Sequence, residues 1–150
     1  VDQVATPEQI YNKPRTKMVA SFIGNMNFFE TECIGESSKT ITVFHKELGN
    51  LKLLKNNIFG IDNLKLTVGI RPENLKILSK NLKSQSKSFT AKVVEKSFMG
   101  DTILFSINLS GNNNNTYISV SDIKNSPNPN IGDEILVTFE EEDVVAYYKE

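Results

Sequence analysis

A change of hydrophobic period at Gly24 sets what this 150-residue chain can fold into. Before it, apolar residues recur at helical spacing; after it, they recur at every second position. Leu64, Leu66, Val68 and Ile70 alternate with Lys65, Thr67 and Gly69, and Ile103, Phe105, Ile107 and Leu109 alternate with Leu104, Ser106 and Asn108. Successive side chains of a strand point to opposite faces, so this alternation predicts strands with one face turned inward. Weaker alternation predicts further strands at 29–34, 40–44, 51–54, 75–78, 89–96, 117–120, 135–139 and 144–148. The segments between them, "GESSK", "FGIDN", "MGD", "GNNNN" and "SPNPNIGD", are rich in turn formers. Short strands at this spacing predict a mainly β barrel or sandwich rather than a parallel sheet. The polar run "KNLKSQSKS", Lys80 to Ser88, is expected to part the strands of the body, residues 25–150, into two interleaved subsets.

The head, residues 1–24, reads differently. Thr6, Pro7 and Gln9 supply an N-cap, a proline at the first helical position and a capping-box glutamine, and Pro14 ends the helix they start. A second short helix follows Thr16, carries Met18, Val19, Phe22 and Ile23 on one side, and stops where Gly24 can take the left-handed conformation. Two such N-terminal helices cannot bury their apolar faces against each other alone. They need either the body or protein beyond this chain, and the missing initiator methionine fits an excised fragment.

The chemical inventory excludes several functions. A formal net charge of -1 gives no overall attraction to phosphate backbones or anionic lipid. No apolar run approaches the roughly 20 residues that cross a bilayer. Cys33 is the only cysteine, which rules out an intramolecular disulfide framework and points to a reducing compartment. It has no neighbouring base to make it a nucleophile, and His45, the only histidine, has no cysteine or carboxylate pair at metal-ligand spacing. Cys33 is read as a small buried hydrophobe and His45 as a structural or surface residue. The acidic run Glu140 to Asp143 lacks the spacing of a calcium loop and reads as a solvated turn. "NLSGNNNN" shares Leu-Ser-Gly with the signature motif of ABC ATPases, but it follows a strand and runs into asparagines, so it reads as a hairpin tip. No Gly-Lys-Ser or Gly-Lys-Thr phosphate loop occurs, so neither catalytic residues nor a cofactor site is assigned to this chain. An OB-type barrel that binds single-stranded nucleic acid is the competing class, with Phe28, Phe29, Phe44, Tyr117, Tyr147 and Tyr148 as stacking rings and lysines as the basic groove. Against it, the aromatics fall where a core needs them and the lysines alternate as solvent faces.

Three segments in order carry a family resemblance. "VATPEQIYNKP", "MVASFIGNMNFF" and "VGIRPENLKIL" together resemble the C-terminal part of ATP-binding subunits of ABC importers for polyamines, maltose, ferric iron and related solutes. In that family the first two segments close the ATPase domain and lead into a regulatory domain of OB-type barrels, called TOBE. Gly24 and Asn27 match the glycine and asparagine of the second segment, and Arg71, Pro72 and Glu73 match the Arg-Pro-Glu triplet of the family's regulatory domain. "SFMGDTILFSINL" and "NIGDEILVTFEEEDVVAYY" resemble its closing strands, with Gly100, Gly132 and Asp133 in the turns. The resemblance implies a helical tail of a missing ATPase domain over 1–24 and a regulatory, dimer-stabilising body over 25–150. It also implies ATP and Mg in the missing domain, a twin subunit and transmembrane permease subunits as partners, and a peripheral place on the cytoplasmic membrane face. A polyamine or ferric-iron importer is favoured. A small solute or an inhibitory protein is implied as a regulator.

The triplet has a physical reading of its own. Arg15 and Arg71 are the only arginines, so the planar donor fork at Arg71 is a choice the lysine-rich chain makes rarely. Pro72 holds Arg71 extended and withdraws a backbone donor, which ends strand pairing. The fork then has three possible uses: bracing its own turn near Glu73, contacting a neighbouring subunit, or holding a small anion.

Overall fold

The computed structural model describes residues 26–59, 65–78, 87–109 and 115–148. The expected helical head with Gly24, most of the 80–88 segment and the "GNNNN" tip lie outside them. The described residues contain no α-helix, and their strands fall into two sheets, each within its own compact unit. One unit takes the chain through Ile70 together with the residues from Glu141 onward; the other is Arg71–Glu140. The change from one sheet to the other therefore comes at Arg71, earlier than the 80–88 run, whose flanks both belong to the second sheet.

The first sheet holds β1 (Asn27–Glu36), β2 (Thr40–His45), β3 (Gly49–Leu54), β4 (Ile58–Phe59), β5 (Lys65–Ile70) and β11 (Val145–Tyr148), in the order β3-β2-β1-β5-β11-β4. All neighbours are antiparallel except β11 and β4. Phe29, Ile41, Val43, Leu51, Leu53, Leu66 and Val68 form its buried side. The expectation of a one-sided β5 is corrected here: Thr67 and Gly69 are buried along with Leu66, Val68 and Ile70. The strand lies between β1 and β11, and a second apolar layer of Met26, Phe28, Phe59, Val145 and Tyr147 covers the other face. Gly69 lets that layer lie close to the strand, because a Cβ there would stand 3.0 Å from the Met26 side chain. Thr67 settles its hydroxyl by donating to Glu30 Oε1 at 2.9 Å.

The second sheet holds β6 (Lys76–Ile77), β7 (Lys87–Met99), β8 (Thr102–Leu109), β9 (Thr116–Val120) and β10 (Glu134–Phe139), in the order β6-β10-β7-β8-β9, all antiparallel. Its core is Phe89, Val93, Ile103, Phe105, Ile107, Ile118, Val137 and Phe139, with Phe89 and Phe139 ring centroids 6.1 Å apart. Burying a side chain of this size stabilises by roughly 1.5–3 kcal/mol each, so the alternating residues dominate the unit's stability. The turn Pro72–Asn74 packs against β9, closing the open side of the curled sheet.

Candidate functional site

The Arg-Pro-Glu triplet lies where one sheet ends and the other begins. Arg71 is extended, with φ -70° and ψ 145°, as the following proline requires. Pro72 opens a 3-10 turn in which Asn74 N–H donates to the Arg71 carbonyl at 2.9 Å. Leu75, at the end of the turn, is fully buried. Pro72 is buried and Glu73 exposed, so the triplet splits into an inner pair and an outer carboxylate. Arg71 itself is only 6% exposed. Removing a guanidinium from water is costly unless its donors are engaged, so this side chain belongs to the interior chemistry of the chain.

The glycines and aspartate of the later segments are turn-makers. Gly100 has φ +70° between β7 and β8, and Gly132 has φ +95° before β10, a region that side chains with a Cβ rarely adopt. The Gly132 N–H donates to the Val93 carbonyl at 2.8 Å, and the Val93 N–H donates to the Asp133 carbonyl at 3.0 Å. Asp133 adds its side chain, with Oδ2 accepting the Asn130 N–H at 2.9 Å. Asn27 is buried at the start of β1, opposite Ile70. The structure therefore does not gather these residues into one cluster; it distributes them over a junction, two turns and a strand start.

His45 has a role that sequence spacing did not disclose. Its Nδ1 accepts the N–H groups of Glu47 and Leu48, at 3.1 and 3.3 Å, closing the turn between β2 and β3, and its ring meets Phe29 edge-on at 5.4 Å. Burial lowers its pKa below 6.5; Glu47 pulls it up and Lys46 pushes it further down. A neutral imidazole accepting at Nδ1 carries its proton on Nε2, so the ring serves the turn as an acceptor. Cys33 is part-exposed, with its Sγ 3.5 Å from the Gly35 carbonyl, rather than fully buried. In the acidic run, Glu141 Oε2 accepts the Lys52 N–H at 2.6 Å. Among the described residues no three metal-ligating side chains come together.

Two concavities open on the second unit. An open groove of about 700 Å³ runs past Thr90, Pro127, Asn128, Asp133 and Leu136, and a smaller pocket of about 90 Å³ lies between Leu75–Ile77 and Ser119–Asp122. Neither contains an acid-base pair in hydrogen-bond contact. The six aromatics weighed as stacking platforms do not form one: Phe29 and Tyr147 are buried, Phe28, Tyr117 and Tyr148 are half-buried, and Phe44 alone is exposed.

Two curled, mainly antiparallel sheets, with turn-bracing residues at the marked positions, define a module of the OB-like class. The chain belongs to the TOBE domain family, whose match covers residues 68–146 and so includes Arg71, Pro72, Glu73, Gly100, Gly132 and Asp133. It is similar to the spermidine/putrescine import ATP-binding protein PotA of Haemophilus ducreyi, with 28% identity over 94% of this chain and 38% of that protein. PotA of Mycoplasmopsis synoviae is 30% identical over 83% of this chain and 25% of its own length. The multiple sugar-binding transport ATP-binding protein MsmK of Streptococcus mutans is 40% identical over 50% of this chain and 20% of its own length. The chain thus spans between a fifth and two fifths of these relatives. Among solved structures, the cytoplasmic molybdate-binding protein ModG has the same type of fold, with a TM-score of 0.56 at 11% identity, covering 80% of this chain and 94% of that one.

Proposed function

We propose that this chain is the regulatory and dimer-stabilising C-terminal domain of an ABC importer's ATP-binding subunit, most akin to the polyamine importers. The single observation that carries the reading is the TOBE match over residues 68–146 inside an alignment of 94% of the chain with a spermidine/putrescine import protein. On this reading residues 1–24 end the ATPase domain, ATP and Mg are held upstream, and the body pairs with its twin beside transmembrane permease subunits. The whole assembly sits peripherally on the cytoplasmic face of the membrane. The domain biases the ATPase halves through contacts that differ between their separated and closed arrangements, since only differential contacts shift such an equilibrium. Arg71 braces its own turn at the start of the second unit, with Pro72 fixing its backbone; its burial favours bracing over a contact with a neighbouring subunit.

An immunoblot of source-cell fractions with an antibody against this chain tests the reading. The expected band is membrane-associated and more than twice the mass of the chain. A soluble band at the chain's own mass would overturn it and bring the free-standing nucleic-acid binder forward.

A second reading, that the domain senses a small solute, has its own support in the open groove along Pro127–Pro129 and the fold likeness to a molybdate-binding protein. It predicts that a polyamine or a tetrahedral oxyanion raises the melting temperature by mass action. An unchanged melting temperature at millimolar solute would contradict it.

A further inference from the structure

The arm formed by β7 and β8 leaves one backbone edge bare. Pairing of β7 with β10 stops at Lys92 opposite Glu134, and the Gly132–Asp133 turn closes over Val93. Beyond the bulge between Val93 and Glu95, β7 runs on to Met99 paired only with β8, whose own far edge is covered by β9 as far as Ile103. Among the described residues no strand pairs with the other side of Glu95–Met99. On β3, one edge of the first sheet, the Lys52 N–H is instead capped by the Glu141 carboxylate. An uncapped, regular edge is a template for another strand.

The side chains on this edge carry the same message. Phe98 is 70% exposed and Met99 60%, and as consecutive strand residues they lie on opposite faces of the arm. A partner surface laid on one face would cover one of them; a strand added at the edge extends both faces together. Lys96 shares a face with Phe98, its Nζ 5.6 Å from that ring's centroid and 2.6 Å from Asn128 Oδ1.

We infer that Glu95–Met99 of β7 pairs antiparallel with the same segment of a second copy, joining two curled sheets edge to edge about a twofold axis at Ser97. This inference rests on the dimeric role proposed above. The segment is self-complementary in that register: Lys96 of one copy stands opposite Phe98 of the other, placing an ammonium beside an aromatic face, while Glu95 stands opposite Met99. No like charges stand directly opposite; the two Lys96 residues lie only on the diagonal, each ammonium already held by Asn128 Oδ1 of its own chain. An antiparallel edge paired with itself closes as a dimer and leaves no further template, which a heterologous contact would not do.

The test uses the 150-residue chain with Cys33→Ser, so that an introduced thiol is the only one. Ser97→Cys on the axis is expected to form a covalent dimer on mild oxidation at about 0.1 mM, because directly opposed Cβ atoms lie roughly 4.5–5.5 Å apart. Ser119→Cys, on β9 and away from the axis, is the control and should give no covalent dimer. Phe98→Glu, at an exposed position, should weaken dimerisation by at least about tenfold in sedimentation while leaving the melting temperature unchanged at dilutions where both chains are monomeric. A dimer that forms without the Ser97→Cys cross-link and is insensitive to Phe98→Glu would overturn the edge and leave the dimeric role standing. A chain that sediments as a monomer at about 1 mM would overturn the edge itself, whereas the importer reading falls only with the immunoblot.

Discussion

His45 holds its turn only while Nδ1 is unprotonated, because that atom accepts two backbone N–H groups. Its folded pKa lies below the unfolded 6.5, so the folded state binds fewer protons. The stability it contributes is fully present above about pH 6.5 and is lost as the pH falls through the folded value. Urea denaturation between pH 8 and pH 5 should show this loss, and His45→Ala should cost about 1 kcal/mol at pH 8 and flatten the dependence. An unaltered pH profile in the variant would place the titration elsewhere. Arg71 makes a different kind of prediction. Truncating a buried guanidinium leaves both a void and the groups it engages, so Arg71→Ala should cost about 2–4 kcal/mol by thermal or urea unfolding. Arg71→Lys should not restore it, since an ammonium cannot reproduce the planar fork. An unchanged melting temperature in Arg71→Ala would remove the bracing role.

The edge strand β3 is guarded by one carboxylate, Glu141, which reaches Lys52 from a turn far along the chain. Glu141→Ala should lower stability by about 1 kcal/mol and increase concentration-dependent association through the freed edge, read by light scattering. Association no greater than in the parent chain would show that the cap is dispensable. Most of the strands were legible because alternation is a local signal: β1, β2, β7, β8 and β10 all cover the runs read from the sequence. Elements without a local period were not. The two-residue β4 pairs in parallel with β11, which arrives almost ninety residues later, and nothing near Ile58 announces it. β5 read as one-sided because threonine and glycine look polar or neutral, whereas Thr67 is satisfied by Glu30 and Gly69 makes room for Met26 and Phe28. The sheet boundary was placed at a polar run because composition marks loops, yet it falls at Arg71, where pairing of β5 with β11 commits the chain to one sheet before the second begins. The candidate site was legible as motifs, but the burial of Arg71 was not, since an arginine at a strand end reads as exposed.

At the scale of the molecule, the first unit is discontinuous in sequence: the chain leaves it at Ile70, builds the second, and returns at Glu141 to complete β11 beside β5. Phe105, fully buried in the second unit, is therefore a fair probe of that unit, and Phe105→Ala should cost about 3–5 kcal/mol. The central claim concerns a division of labour, in which this body stabilises and regulates a subunit whose ATP chemistry lies upstream. The most direct measurement compares the full-length parent subunit with a version ending at Asn25, following ATP hydrolysis per subunit and dimer affinity together. The account predicts that the shortened subunit keeps basal hydrolysis while its dimer affinity falls by about tenfold or more. Lost hydrolysis with dimer affinity intact would contradict it.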